Sequence, residues 1–154
     1  MHPDTLRIVS VWVSNGLLAV ILACWIAAQI HLLRTAPRQQ AFRYMVASLL
    51  GALITVKLVD YFQSWRLFPA YPGFPSGHEA FTTSFGASLV IADRKWLPAA
   101  MAFAVIMAPS LVWAGFHKWP DVIASAIYSP LMTVIFHKLL RSRDLLWQST
   151  NSRQ

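Results

Sequence analysis

Charged residues are scarce in this chain: they make up 12% of its 154 residues, and only six of them are acidic. A soluble domain carries about 25% charged residues, whereas hydrophobic residues account for 56% of this sequence. The composition therefore excludes an ordinary soluble domain. It favours a membrane protein, because runs of about 18 or more apolar residues are long enough to cross a bilayer.

Cysteine is almost absent. Cys24 is the only one and lies inside an apolar run, so no intrachain disulfide is possible and we expect a small buried residue. The chain also lacks a basic helix face or an aromatic platform. Its net charge of +7 comes from residues that flank apolar runs, and this arrangement argues against nucleic acid as a partner.

Five apolar runs are present instead, and they predict one all-α membrane domain over residues 1–154. The expected spans are residues 8–30, 44–62, 76–92, 96–116 and 121–136. The third is short and rich in small and hydroxylated residues, which suit close packing between membrane helices. The segment from His31 to Arg43 contains three arginines and Pro37 and is predicted to be a loop, and residues 138–154 a basic cytoplasmic tail.

Positive charge predicts the orientation, because cytoplasmic loops of membrane proteins carry an excess of lysine and arginine. Five spans alternate across the membrane, so the basic residues divide between two sides. One side has Arg34, Arg38, Arg43, Arg94, Lys95, Lys138, Arg141, Arg143 and Arg153, and the other has Arg7, Arg66 and Lys118. We therefore expect the first side to be cytoplasmic and the 63–77 connection and 117–121 turn to face outward.

The stretch Phe74-Pro75-Ser76-Gly77-His78 predicts a helix start at the outer side. Ser76 is a good N-cap, and Glu79 three residues later completes the capping-box spacing by folding back on the Ser76 amide. A helix N-terminus favours an anion such as phosphate. Gly77 lets that anion approach the backbone, and His78 adds a proton donor.

The predicted topology brings three stretches to one face: the end of the second span, the start of the third, and the turn before the fifth. These stretches contain Lys57, Asp60, Arg66, Ser76, His78, Glu79, His117, Lys118 and Asp121. Ionisable groups at the ends of spans indicate function. One histidine can attack phosphorus while the other protonates the leaving oxygen, and cations can neutralise the remaining oxygens.

Two other interpretations remain for parts of this cluster. Lys57 and Asp60 are three residues apart on one helix and could form an ion pair with a structural role. His78, Glu79, His117 and Asp121 are residue types that bind zinc or iron. Adjacent side chains diverge on a helix, however, and the usual His-Glu-x-x-His spacing is missing. We therefore expect no metal and no other cofactor.

Pro75-Ser76-Gly77-His78, followed about forty residues later by Gly115-Phe116-His117-Lys118-Trp119-Pro120-Asp121, resembles the type 2 phosphatidic acid phosphatase superfamily. The resemblance covers roughly residues 50–137. It implies a helical membrane phosphatase that needs no metal, with a core over residues 44–137 and an additional N-terminal span at 8–30. The family commonly has six spans, whereas five are predicted here.

The resemblance also implies roles for matching residues. His117 would be the nucleophile that forms a phosphohistidine, Asp121 would orient it, and His78 would protonate the leaving alcohol. Ser76 and the Gly77 amide would bind phosphate oxygens. Lys57 and Arg66 would add phosphate contacts, as the lysine and arginine of the family's first motif do.

Two motifs depart from the family pattern. In the third motif Ser110 is followed by Leu111, where the family has an arginine that binds phosphate. Lys118 could replace that cation. In the first motif Lys57 and Arg66 are separated by eight residues instead of six, and Leu67 replaces the proline. Loss of the bidentate arginine would weaken transition-state binding by a few kcal/mol if nothing replaces it.

The expected function is hydrolysis of a phosphomonoester or pyrophosphate lipid. Candidate substrates are phosphatidic acid, phosphatidylglycerol phosphate, isoprenyl pyrophosphates and lipid A phosphates. The alternative is a weakly active or inactive family member that binds a lipid phosphate or serves as an interaction subunit, and Leu111 favours it. We expect the bacterial inner membrane, with the site facing the periplasm. The sequence does not predict an oligomeric state.

Overall fold

The computed structural model describes residues 3–65 and 73–151, with side chains described for residues 4–65 and 73–140. This part of the chain forms five α-helices and a 3₁₀ turn at Arg94–Trp96. The helices are α1 (Pro3–Thr35), α2 (Arg38–Ser64), α3 (Gly77–Ala92), α4 (Leu97–Trp113) and α5 (Trp119–Asn151). The predicted all-α membrane bundle is confirmed.

Four of these helical segments are long and apolar enough, by length and composition, to cross a membrane. They are Asp4–Thr35, Arg38–Ser64, Arg94–Trp113 and Trp119–Leu140. The fifth helix, α3, has 16 residues and is about 24 Å long at 1.5 Å per residue. It is therefore shorter than the hydrocarbon core of a typical bilayer, which is about 30 Å thick.

The short helix α3 is at the centre of the bundle. It packs against each of the other four helices, which surround it in the order α1, α2, α5, α4. Small residues allow this close packing. A Cβ atom on Gly86 of α3 would lie 3.3 Å from the Cβ of Ala100 on α4, and one on Gly51 of α2 would lie 3.1 Å from Thr133 on α5.

Two boundaries differ from the sequence prediction. The predicted loop from His31 to Arg43 is wrong, because α1 continues to Thr35 and α2 begins at Arg38. Arginine is a good helix former, and the helices extend beyond the apolar runs until Pro37 interrupts them. At the other end of the chain, α5 continues past residue 136 to Asn151, so the predicted basic tail has a helical backbone up to that residue.

The two ends of the bundle differ in charge. The site end is formed by the end of α2, the start of α3 and the α4–α5 turn, and the opposite end by the α1–α2 connection and the 3₁₀ turn. Among residues 4–65 and 73–140, the basic residues of the site end are Arg7, Lys57 and Lys118. Those at or near the opposite end are Arg34, Arg38, Arg43, Arg94, Lys95 and Lys138.

Candidate functional site

The start of α3 is held by two contacts of Ser76. The side chain of Ser76 caps the helix by accepting a 3.4 Å hydrogen bond from the backbone N–H of Glu79, as predicted. The second half of the predicted capping box, in which Glu79 folds back on the Ser76 amide, is wrong. The N–H of Ser76 donates to the backbone carbonyl of Asp121 at 3.1 Å, so the first turn of α3 is joined directly to the first turn of α5.

This first turn offers unpaired backbone donors at the site end. The N–H groups of Gly77 and His78 belong to the opening residues of α3, whose amides have no intrahelical acceptor. His78 itself is half-buried. A Cβ on Gly77 would make an ordinary contact with Val59 at 3.8 Å. Such a helix N-terminus suits a phosphate oxygen.

The turn between α4 and α5 presents His117 to this helix start. Gly115 has a positive φ of 77°, a left-handed conformation that glycine adopts with little strain and that commonly ends helices. The carbonyl of Leu111 then accepts hydrogen bonds from the N–H groups of Phe116 and His117, at 3.1 and 3.4 Å. These backbone hydrogen bonds therefore fix the position of the His117 main chain, from which its imidazole ring extends.

His117 in this turn and Asp121 in the first turn of α5 form a largely buried pair. The Nδ1 atom of His117 is 3.7 Å from Oδ2 of Asp121, and the two side chains are 12% and 3% exposed. This distance is too long for a hydrogen bond and short enough for a strong charge interaction. The same Oδ2 accepts a 2.8 Å hydrogen bond from the N–H of Lys118, which holds the carboxylate in position.

The surroundings of His117 keep its imidazole neutral. Burial lowers the pKa of His117 from its ordinary value of 6.5, and the carboxylate of Asp121 partly opposes this by raising it. The charge of His78 lowers the pKa of His117 further, so the two histidines are close enough to interact. A neutral imidazole with a charged orienting partner is the state that nucleophilic attack requires.

Two residues that sequence reasoning missed position the site: Gly73 in the segment before α3, and Gln63 near the end of α2. The side-chain amide of Gln63, near the end of α2, donates to the carbonyls of Gly73 at 3.2 Å and of Pro75 at 3.0 Å. A Cβ on Gly73 would lie 3.2 Å from Nδ1 of His117. The Pro72-Gly73 dipeptide is a turn signal, but no sequence pattern indicates the contacts of Gln63.

We expect Gly73→Ala to displace the ring of His117 and to lower phosphate release on the order of tenfold. The new methyl group would meet Nδ1 at a distance shorter than ordinary contact, and small displacements of a reacting group are costly in rate. Initial rates in detergent would measure the effect. Gly16→Ala is the matched control, because a Cβ there has no neighbour within 4 Å. Equal rates for both variants would contradict the expected contact.

Lys57 does not join the histidines in this structure. Its ammonium group is 3.1 Å from Oδ2 of Asp60, and the two side chains are 71% and 56% exposed. Val59, two residues further along α2, is buried and faces Gly77. Residues two apart lie on nearly opposite faces of a helix, so Lys57 lies on the outward face. The geometry supports the ion-pair interpretation of this residue.

The other predicted phosphate contacts have different surroundings. Ser76 is fully buried and caps the helix. Lys118 is exposed beside His117, whereas Arg66 is outside the described residues. Leu111, at the position of the family arginine, is fully buried in a cluster with Met107 and Val122. Its side chain is therefore part of the core and contributes no charge.

No three histidine, cysteine, aspartate or glutamate side chains in the described part of the chain are arranged to hold a metal ion. The site consists of two histidines, one carboxylate and a helix N-terminus at one end of the bundle. These groups can bind an anion, attack it and transfer a proton.

The model of the PAP2 superfamily matches residues 33–144, from the end of α1 into α5. No curated protein and no solved structure matches the chain. The matched region contains all the site residues described above and covers well over half of the sequence. The chain therefore belongs to the PAP2 superfamily, whose members are generally phosphatases that act on phosphate esters and have a helical membrane fold.

Proposed function

We propose that the protein is a membrane lipid phosphatase that forms a phosphohistidine on His117. The observation that carries the proposal is the pairing of His117 with Asp121, opposite a helix start that bears His78. The Nδ1 atom of His117 faces the carboxylate. A proton on Nδ1 would therefore leave the lone pair of Nε2 free to attack phosphorus.

In the first step, Nε2 forms a bond to phosphorus as the bond between phosphorus and the leaving oxygen breaks. The imidazolium form of His78 donates its proton to that oxygen, so the lipid leaves as a neutral alcohol. Burial lowers the pKa of His78, and the negative charge of the bound phosphate opposes this by favouring the imidazolium. General-acid assistance of this kind contributes about 10²–10⁴ in rate. Asp121 stabilises the positive charge that develops on the ring of His117, because their nearest atoms are 3.7 Å apart.

In the second step, water attacks phosphorus and the bond to Nε2 breaks, which releases inorganic phosphate. His78, now neutral, accepts the proton of that water and returns to its starting state. The amides of Gly77 and His78 bind phosphate oxygens in both steps. Lys118, exposed beside the nucleophile, supplies the cation that Leu111 does not. Lys57 is paired with Asp60, and we assign it no phosphate contact.

The substrate reaches this site from the bilayer. The site lies at the end of a bundle whose helices expose large apolar side chains such as Trp12, Val105 and Ile127, so an amphiphile can present its phosphate while its tail remains in lipid. The excess of basic residues at the opposite end favours an outward-facing site. We propose a bacterial inner-membrane location with the site on the periplasmic side.

A second candidate function is binding of a lipid phosphate without turnover. It is favoured by one observation, the burial of Leu111 in the core where the family has an arginine. A protein that only binds a lipid phosphate does not need a nucleophile with an orienting carboxylate, so the pair of His117 and Asp121 favours the enzyme. The two functions differ in a single measurable quantity, which is phosphate release.

Phosphate release by the purified protein in detergent, with EDTA present, tests the proposal. The panel would contain phosphatidate, phosphatidylglycerol phosphate, an isoprenyl pyrophosphate and a lipid A phosphate. We expect release from at least one lipid without added metal. Binding of the same lipids by a folded protein that releases no phosphate would support the second function and contradict the first.

A further inference from the structure

A groove of about 770 Å³ runs along the bundle between α4 and α5, with α3 at its base. Its lining extends from Glu79, Pro109 and Trp119 near the site end to Ile91, Leu97 and Val134 near the opposite end. Glu79 and Ile91 on α3 are twelve residues apart, which corresponds to about 18 Å. This length is close to the hydrocarbon thickness of one leaflet, about 15 Å.

The polarity of the groove changes along its length. Among the described residues that line it, those with a side-chain nitrogen or oxygen are Glu79, Thr83 and Trp119. All three are in the half nearest the site. The other half is lined by aliphatic residues such as Val90, Ala104 and Val134. The groove therefore matches an amphiphile whose polar part lies next to the catalytic histidines.

Glu79 is the group in this groove that lacks a partner. It is fully buried, and neither carboxyl oxygen has a hydrogen-bond partner within residues 4–65 and 73–140. Thr83 does not supply one, because its hydroxyl donates to the backbone carbonyl of Glu79 at 2.8 Å. A buried polar group without a hydrogen-bond partner is unfavourable, because it has lost its contacts with water and gained none in return. A bound molecule that supplies a hydrogen bond would remove this cost.

We propose that the groove binds the tail of the substrate and that Glu79 hydrogen-bonds to the polar linkage between tail and phosphate. The linkage is a hydroxyl, ester or amide group. This inference rests on the proposed function, and it narrows the substrate to glycerolipid or sphingoid phosphates. Glu79 directly follows His78 in the first turn of α3, and Val122 of the groove directly follows Asp121 in α5. The groove therefore begins one residue along the chain from the site, although the side chains of His78 and Glu79 leave the helix in different directions. We place the linkage of a lipid bound at the histidines at Glu79.

Polyprenyl phosphates are disfavoured for the same physical reason. Their chains carry no hydrogen-bonding group next to the phosphate, so Glu79 would stay unpaired when they fill the groove. Sites that hydrogen-bond to a substrate group discriminate strongly against analogues without it, because the protein group is then left buried and unsatisfied. A single such contact corresponds to a preference of about tenfold or more.

Two lipids with the same single chain test this inference: 1-oleoyl lysophosphatidate, which has an ester and a hydroxyl, and oleyl phosphate, which has neither. Binding is measured by calorimetry in detergent micelles, in the His117→Ala background so that no turnover occurs. We expect Kd for lysophosphatidate to be about tenfold lower than for oleyl phosphate. Glu79→Leu should abolish this preference by weakening lysophosphatidate alone, and Glu79→Gln, which retains hydrogen-bonding capacity, should preserve most of it.

Equal affinities for the two lipids in the His117→Ala protein, which retains Glu79, would overturn the inference. This comparison needs no substitution in the groove. A preference that survives in folded Glu79→Leu, judged by its elution from a gel-filtration column, would also overturn the inference. If Glu79 produces the preference but the wild-type protein releases no phosphate from any lipid, the groove assignment holds and the phosphatase proposal fails. If phosphate is released and polyprenyl phosphate is preferred, the phosphatase holds and the groove assignment fails.

Discussion

Replacing His117 by alanine should reduce phosphate release on the order of 10⁴-fold or more, because the variant lacks the proposed nucleophile on which the covalent intermediate forms. The turn that carries His117 is held by backbone hydrogen bonds to Leu111 and by the left-handed Gly115. These contacts do not involve the imidazole, so we expect the variant to fold. Rates of phosphate release with EDTA present would measure the loss.

The matched control is His31→Ala. His31 is exposed near the end of α1, at the opposite end of the bundle, and its replacement should leave the rate unchanged. Quenching the wild-type reaction in alkaline denaturant should also trap a phosphorylated protein that loses its phosphate in acid, since a phosphohistidine is the proposed intermediate, and His117→Ala should trap none. Release that continues at the wild-type rate in His117→Ala would rule out the mechanism.

Asp121→Asn should lower kcat/KM about 10²–10⁴-fold and move its pH dependence to lower pH. The imidazole of His117 must be neutral to attack, so activity is lost as pH falls through its pKa, which burial lowers below 6.5 in the wild type. The charge of Asp121 raises that pKa. Removal of the charge therefore lowers the pKa further, and the acidic limb of the profile moves to lower pH.

The shape of asparagine allows the contact with the Lys118 amide to persist, so this variant separates charge from structure. Asp93→Asn is the matched control. Asp93 is exposed at the opposite end of the bundle, where its side chain accepts a hydrogen bond from Lys95, and its replacement should change neither rate nor profile. If the acidic limb of the kcat/KM profile stays in place or moves to higher pH in Asp121→Asn, the proposed role of Asp121 as the charged partner of His117 is contradicted.

Much of the candidate site could be predicted from the sequence because the chemistry is local. Ser76 and His78 lie in one short motif, and the helix start that they predict is confirmed. His117 and Asp121 are four residues apart, His117 in the turn before α5 and Asp121 in its first turn, so a short stretch of chain brings their side chains together. Apolar runs separated by basic residues likewise predicted the helices, since backbone groups in lipid must bond within the helix.

Other features depended on contacts between distant segments. The capping box was predicted from spacing alone, yet the Ser76 amide bonds to Asp121, forty-five residues away, and the carboxyl group of Glu79 has no hydrogen-bond partner among the residues whose side chains are described. Gln63 positions the segment before α3 through carbonyls ten and twelve residues further on. No local pattern encodes such contacts, because they arise only when α2, α3 and α5 come together.

The sequence by itself determined the membrane character, the helices and the candidate site residues, because hydrophobic length, capping and motif spacing act over a few turns of chain. Only the tertiary structure decided that the short helix α3 is central, that Leu111 is in the core and that Glu79 lines a groove between α4 and α5. These outcomes depend on which helix faces pack together. Packing is set by the fit of small residues such as Gly51 and Gly86 against neighbouring helices, and that fit exists only in the assembled bundle.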